Sequence, residues 1–436
     1  MLVSLRVAVA LLVAQATSAF AEAPRSIVGF RVEGHSKVSS RTLGYLTHVH
    51  LGDQISAEDL PAIQTALISS ELFKSAIVRL EDAPGGAIVV ATLDDKWSWI
   101  AAPTLYVSPT TRAFGGGFVE NDFGGRDQKL LLYGQLGTQR SLVFGTFLDP
   151  AVHGTKLTYR IDLYAEHKVV DEYANPPNLP TSLAVTRETT QTFLDAGALV
   201  WWSFRWWLVG DFRLRGAYVY YRDPHDPNTG VAAPAPETDG WDVSAQARLT
   251  LDRRINRFGV RWGPYVQLEL EQSVPGLDSY GFEIGLVRAY YSWRLFCEHE
   301  LELRVIGNAG YHLPLNEELT LGGATDLRGY DVDQFRGDVT GVVRAEYSVP
   351  IVRWWVLAFR ALAFCDSGYS GFHFRRGSDR DYLPGDLGAG VFRDDVGGGL
   401  RVYVENIVVP LLGLDVGYGI QGHSPELYFE LGLTDF

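Results

Sequence analysis

Leu321-Gly322-Gly323-Ala324-Thr325-Asp326-Leu327-Arg328-Gly329-Tyr330 and Phe364-Cys365-Asp366-Ser367-Gly368 decide how this chain is read. The first stretch is polar and rich in glycine, the composition of a loop. The second ends an alternating segment and sets Phe364, Asp366 and Gly368 on one face of a strand. An arginine carried by a loop and an aspartate on an inward strand face are suited to a charge-assisted, bidentate pair. Such a pair pins the loop inside something hollow.

The rest of the chain describes the hollow object. From Trp97 onward the hydrophobic period is two. Leu301, Leu303 and Val305 alternate with Glu300, Glu302 and Arg304; Leu157, Tyr159, Ile161 and Leu163 alternate with Thr158, Arg160 and Asp162. A soluble sandwich also alternates. Charged residues on one face of many strands, however, are what a wet lumen requires. Sixteen strands are predicted, centred near Leu105, Gly117, Leu132, Phe144, Tyr159, Gly197, Phe212, Ala247, Leu268, Gly285, Leu303, Arg344, Leu362, Arg401, Asp415 and Leu431. Short connections near 121–126, 150–154, 203–204, 254–256, 291–293, 350–353 and 406–410 alternate with long ones near 169–186, 222–239, 308–338 and 369–393. Short turns on one side and long loops on the other are the outer-membrane barrel pattern. Trp201, Trp202, Trp206, Trp207, Trp293, Trp354 and Trp355 gather at the short-turn ends, where an interfacial girdle belongs.

Composition agrees. Hydrophobic residues make up 46% of the chain, yet the mean hydropathy is -0.01, so apolar residues are dispersed. After residue 21 no apolar run reaches the ~20 residues of a spanning helix, which leaves a soluble protein or a closed barrel. Residues 1–21 read as a secretory signal. Arg6 is the positive region, Val7 to Ala14 the apolar core and Ala19-Phe20-Ala21 the cleavage site, so the mature chain is expected to start at Glu22. The formal charge is -14 and becomes -15 without that segment, whose one ionisable side chain is Arg6. The acidic balance argues against nucleic acid as a partner. Two cysteines in an exported chain could pair, but Cys297 and Cys365 fall in predicted strands that are not neighbours, so two unpaired thiols are expected.

Residues 22–96 have another texture. A strand at 26–32, a helix capped by Ser39, a break at Gly52-Asp53 and a second helix opened by Ser56 precede strands at 76–80 and 87–93. Leu60, Ile63, Leu67 and Ile68 form the second helix's apolar stripe. The order is β-α-α-β-β. With Val32-Glu33-Gly34-His35, Gly52-Asp53, Glu58-Asp59-Leu60 and Glu71-Leu72-Phe73, it resembles a POTRA domain. The resemblance implies a periplasmic module that hands over unfolded chains, its edge strand able to pair with a peptide.

The loop and strand motifs resemble the two signatures of the BamA/TamA superfamily, the bacterial surface antigen family. Leu251-Asp252-Arg253-Arg254-Ile255-Asn256 with Gly263, and Ala345-Glu346-Tyr347-Ser348-Val349-Pro350-Ile351, resemble further segments of it. The implied fold is an all-β membrane protein: a 16-stranded antiparallel transmembrane barrel over residues 97–436, preceded by one small α+β POTRA domain. The resemblance implies that Leu327, Arg328, Gly329 and Tyr330 fold back into the lumen, with Arg328 on Asp366 of the Phe364–Asp366–Gly368 face. Arg344, Glu346 and Arg360 share inward phases and are candidates for the same network. Phe429, Leu431 and Phe436 form the C-terminal strand signal, although Phe436 falls one residue off the phase of Phe429 and Leu431. One POTRA-like module, rather than several, and Trp97-Ser98-Trp99 at the barrel start depart from the family pattern.

The implied function is insertion or translocation of other polypeptides at the bacterial outer membrane, with the N-terminal domain in the periplasm. Partners would be unfolded outer-membrane or secreted chains, outer-membrane lipid and periplasmic accessory proteins. The alternatives are a two-partner-secretion-like pore gated by the Arg328 loop, and a structural surface-antigen barrel without a client. No catalytic triad, phosphate loop or zinc spacing is present in the sequence, and His48 with His50 is too isolated for a metal site. Neither enzymatic activity, a metal nor a cofactor is expected.

Overall fold

The computed structural model describes residues 23–431 except 71, 109, 151, 153–154, 156, 174–184, 206, 258–259, 356, 375–390, 405–409 and 423. The expected signal at 1–21, Glu71, Trp206, the expected turn at 406–409 and Phe436 therefore lie outside the described residues. The chain divides into two units, the first of residues up to Trp97 with Gly124–Asp127 and the second of Ser98–Phe123 with the residues from Gln128 onward.

The first unit is an α+β domain. Strand β1 (Arg25–His35) leads into helix α1 (Ser40–Thr47), then α2 (Leu60–Ser69), β2 (Phe73–Ala83) and β3 (Gly86–Asp95). Ser39 caps α1 by accepting the Thr42 N–H. His48 ends that helix in the left-handed region at φ 57°. Ser56 and Asp59 form a capping box before α2, and Pro61 occupies the first turn, where its missing N–H is tolerated. The sheet runs Gln54–Ile55, β1, β3, β2, with β1 parallel and β2 antiparallel to β3. Ile27, Leu43, Leu46, Ile63, Leu67, Phe73, Val89 and Leu93 fill the core between helices and sheet. Ile68, expected on the buried stripe of α2, is 41% exposed. Ile63 and Leu67 already point at the sheet, and the next position is rotated about 100° away.

The second unit is a closed antiparallel barrel of sixteen staves. They are β4 (Trp99–Val107), β5 (Arg112–Phe123), β6 (Gln128–Gly137), β7 (Arg140–Asp149), β8 (Leu157–Tyr173) and β9 (Val185–Arg205). Next come β10 (Leu208–His225), β11 (Gly240–Asp252), β12 (Val260–Ser273), β13 (Glu283–Arg294) and β14 (Glu300–Tyr311). The last five are β15 (Val339–Trp354), β16 (Leu357–Gly371), β17 (Val391–Val404), β18 (Pro410–Gly419) and β19 (Ser424–Leu431). Closure is made by β19 on β4, with Phe429 opposite Val107 and Leu431 opposite Leu105. Alternation dictates the two faces. Leu163, Leu214, Leu270, Leu301, Val343 and Leu427 are exposed outward, whereas Asp162, Gln246, Arg344 and Asp415 are buried inward.

Each of the sixteen expected strand centres falls within a stave. Other expectations need correction. Staves β8, β9 and β10 run for 17, 21 and 18 residues, against ~9–11 needed to cross a bilayer. The expected long loops at 169–186 and 222–239 are therefore partly ladder. Beyond the lipid the outer face need not be apolar, so the alternation fades while Val169, Val170, Thr189 and Thr190 keep pairing. The turns expected at 203–204 and 350–353 fall later in the chain, because Ser203 and Arg353 still pair; likewise the turn expected at 291–293 lies at 295–299, because Tyr291 and Trp293 remain in the ladder. Cys297 consequently sits in that turn at φ 52°, not in a strand. Cys365 is exposed on the outer face of β16, and both thiols are free. Trp202, Trp293, Trp354 and Trp355 are exposed near the short turns, but Trp201 shares the inward phase of Asp211.

Candidate functional site

The connection between β14 and β15, residues 312–338, folds onto the inner wall. Its root is apolar. Leu313 and Leu315 pack with Phe193, Ala217, Tyr221, Tyr280 and Phe282. A short ribbon pairs Leu319–Leu321 with Phe335–Gly337. Gly322 and Gly323 then turn the chain at φ 121° and 99°. A Cβ on Gly322 would stand 2.1 Å from the Asp331 carbonyl oxygen, so this turn admits only glycine. The Gly323 N–H meets both the Leu327 and Tyr330 carbonyls, closing a knot that presents Arg328.

Arg328 is wholly buried. Its Nε donates to Asp366 Oδ2 at 2.8 Å and its Nη2 to Asp366 Oδ1 at 3.0 Å. Its Nη1 donates to Glu346 Oε2 at 2.6 Å. Its Cζ lies 3.5 Å from the centroid of the Phe364 ring. Guanidinium charge is thus met by two carboxylates in its plane and a π face beneath it. The alternation of β16 explains why three residues meet the loop. Phe364 stacks, Asp366 pairs, and Gly368 leaves the space that Leu327 fills; a Cβ there would lie 2.8 Å from Leu327 Cδ1.

The register sets the rest. Arg344 of β15, Asp366 of β16, Asp395 of β17 and Gly419 of β18 lie opposite one another in one row. Arg344 Nε is 3.5 Å from Asp366 Oδ1, and its Nη1 donates to the Thr325 carbonyl. Asp395 Oδ2 accepts the Gly329 N–H at 3.0 Å. The Tyr330 hydroxyl donates to Gln421 Oε1 at 2.6 Å. Gly417 and Gly419 let the loop backbone lie flat on β18, since a Cβ on Gly417 would stand 2.0 Å from the Arg328 carbonyl oxygen. Burial pushes the Asp326 carboxyl, at the lip of the knot, up to about 6.

The sequence candidates separate cleanly. Leu327, Arg328, Gly329, Tyr330, Arg344, Glu346, Phe364, Asp366 and Gly368 come together. Arg360 does not: it is held by Ser348 Oγ at 2.7 Å and the Glu298 carbonyl at 3.1 Å, toward the short turn. Phe429 and Leu431 lie on the closing strand β19. Sequence reasoning missed Asp395, Gln421, Gly417, Gly419 and Tyr428. Only the inward-phase series Asp415-Gly417-Gly419 would have marked β18 as a place of close approach.

A second anchor was also missed. Arg215 of β10 donates to Asp242 Oδ1 and to Glu317 Oε1 at 2.9 Å each, and Asn316 donates to Asp242 Oδ2 at 2.6 Å. Burial pushes the Glu317 carboxyl, in the loop root, up to about 7. A cavity of about 540 Å³ lies between the loop and the first staves, lined by Tyr106, Tyr133, Arg140, Tyr164, Lys168 and Asp333. Among the described residues no group of His, Cys, Asp or Glu is arranged to hold a metal. The arrangement is that of a docked strap held by buried charge.

A family model described as the Omp85 superfamily domain matches residues 122–431. No curated protein sequence matches the chain. The fold is similar to BamA from Haemophilus ducreyi lacking POTRA domains 1–3, with a TM-score of 0.60 and 12% identity, over 93% of this chain and 84% of that one. It is similar to CdiB from Escherichia coli, with a TM-score of 0.63 and 15% identity, over 92% of this chain and 75% of that one. CdiB from Acinetobacter baumannii gives a TM-score of 0.58 and 14% identity, over 94% of this chain and 74% of that one.

Proposed function

The chain belongs to the Omp85 superfamily, a barrel of the bacterial outer membrane, and on that premise we propose that it inserts or translocates other polypeptides there. The more specific reading is an assembly protein of the BamA/TamA type. The observation that carries it is the buried Arg328–Asp366 pair holding residues 312–338 against the wall. A strap so fixed keeps the lumen occupied and leaves the β19–β4 junction as the place where a client strand could be added. Unpaired strand edges recruit partners readily, and lipid makes an unpaired edge costly. The N-terminal domain, read as a POTRA module in the periplasm, offers β2 (Phe73–Ala83) at the edge of its sheet. A peptide can extend that edge by main-chain hydrogen bonds.

A second reading is a secretion pore for a single partner, with the strap as its gate. The 540 Å³ cavity beside the strap favours it. Neither reading involves catalysis or a cofactor. Depletion of the protein in its own host separates them. Broad loss of outer-membrane proteins is the expected result. Loss of one secreted partner alone would favour the pore, and an unchanged outer membrane and secretome would overturn both.

A further inference from the structure

The loop tip touches both strands that close the barrel. Tyr428 of β19 is 1% exposed and donates its hydroxyl proton to the Tyr330 carbonyl. Thr110, three residues beyond the end of β4, donates its hydroxyl to Asp331 Oδ1 at 2.7 Å. Tyr106 of β4 lies beside Tyr428, ring centroids 6.4 Å apart. Next to these rings the two strands pair directly, Glu430 opposite Tyr106 and Phe429 opposite Val107. Two consecutive loop residues are therefore bonded one to the last strand and the other to the segment that continues the first.

The loop itself is placed by other contacts. Arg328 is held by Asp366 of β16, the Gly329 N–H by Asp395 of β17, and the Tyr330 hydroxyl by Gln421 beyond β18. It is a fixed body held by β15, β16, β17 and the turn after β18, none of which pairs across the junction. If β19 and β4 part while the loop stays seated, the Tyr428 or the Thr110 bond must break. A buried tyrosine hydroxyl stripped of its acceptor is costly in a site without water. We propose that Tyr330 and Asp331 form a latch across the β19–β4 junction, with Tyr428 and Thr110 as positioning residues that couple loop docking to junction closure. By linkage the coupling is reciprocal: a seated loop favours a closed junction, and a closed junction favours a seated loop. The proposal rests on the insertion or translocation reading for its use, but the coupling is a property of the barrel alone.

The test uses the full chain in lipid bilayers and hydrogen exchange. Tyr428→Phe and Thr110→Val keep shape and remove one hydrogen bond each. Loss of the buried Tyr428 bond should raise exchange of the amides at 105–107 and 429–431 about fivefold, the worth of one such bond, and loss of the exposed Thr110 bond should raise it less. Amides in β11 and β12 should exchange as in the wild type. The reciprocal arm leaves Tyr428 and Thr110 intact. Cysteines replace Val107 and Phe429 in a background carrying Cys297→Ser and Cys365→Ser. Directly opposed residues of antiparallel strands lie within disulfide reach. Oxidation should slow exchange of the Gly329 amide. Wild-type exchange at the junction in the double variant, or a Gly329 amide indifferent to the crosslink, overturns the latch. If the double variant fails to show heat-modifiable mobility, the single variants and the crosslink arm decide. An unchanged outer membrane on depletion would remove the proposed function while leaving these exchange results intact, so the two failures are distinguishable.

Discussion

Arg328 and Arg79 each give two hydrogen bonds to one carboxylate in opposite surroundings, Arg328 from two nitrogens and Arg79 from Nη2 alone. Arg328 grips Asp366 with bonds of 2.8 and 3.0 Å, and neither side chain is exposed. Arg79 grips Glu33 across the sheet of the N-terminal domain with two bonds of 2.9 Å, at 47% and 37% exposure. Distances alone would rank the two pairs together. The fork favours Arg328, and solvent separates them further. At the surface, water stabilises each partner almost as well when the other is removed. In the lumen wall a deserted charge has no such refuge. Hydrophobic burial holds the N-terminal domain together, whereas the strap depends on its ions.

The largest effect is expected at Arg328. Arg328→Ala or Asp366→Ala leaves an unpaired buried charge, which typically costs ~3–5 kcal/mol. The double variant should cost much less than the sum, because the second removal finds the charge already deserted. Arg328→Lys should rescue only in part, since an ammonium cannot reproduce the planar fork that meets Asp366 and Glu346 together. A double-mutant cycle on heat-modifiability measures this. Coupling near zero, with single variants like the wild type, would mean that the tip is not held by this pair.

The root of the strap offers a finer contrast. Arg215 holds Asp242 and Glu317, but Asn316 also donates to both, so neither carboxylate is left bare without it, and Leu313 and Leu315 pack the root independently. Arg215→Met should therefore cost about 1.5–3 kcal/mol, the range for a hydrogen bond to a charged group. Hydrogen exchange should show the split. Arg328→Ala should free residues 322–334 while 315–321 stay protected, and Arg215→Met should do the reverse. Release of the whole strap by either variant would show that tip and root form one cooperative unit.

Much of this was legible because a barrel repeats one instruction. Period two fixed every stave centre, and the spacing of Phe364, Asp366 and Gly368 told which three side chains face the loop. What stayed hidden depended on register. Nothing local says that Asp395 lies opposite Asp366, or that Gly419 lies opposite Asp395. Arg360 misled for the same reason. Phase put it on the correct face, but it pairs with Pro350 and Arg401, at a level the loop does not reach. The Arg215 anchor was hidden because its partners come from β11, β12 and the loop root. Long strands lost their alternation beyond the lipid, so the outer ends of β8, β9 and β10 were read as loops.

The surface pair should respond weakly. Arg79→Ala, Glu33→Ala and the matching changes at Arg31 and Glu81 should each shift the N-terminal domain by less than about 1 kcal/mol, and less still in salt. Denaturant melts of the full chain, followed by exchange of the β2 and β3 amides, would report it. A loss near that of Arg328→Ala would break the comparison, since exposure would then not decide the worth of an arginine–carboxylate pair.

The smallest effect belongs to Asp59, where only hydrogen bonding distinguishes folded from unfolded chain. Its carboxylate accepts the Ser56 N–H and the Ser56 hydroxyl, each at 2.8 Å. The backbone bond first, and the hydroxyl second, hold its pKa below the ordinary aspartate value. A depressed carboxyl contributes stability that is present above the unfolded pKa, near 4, and is lost as pH falls through the folded value. Asp59→Asn keeps an acceptor but carries no charge, so it should resemble the wild type in acid and fall slightly behind it at neutral pH. The ratio of Ser56 amide exchange between variant and wild type should therefore rise on going from about pH 3 to pH 6. A ratio that stays flat across that window would show that the box is held by geometry alone. The weakest polar contact of the domain would then follow the same rule as its exposed ion pairs, with water matching whatever the protein offers.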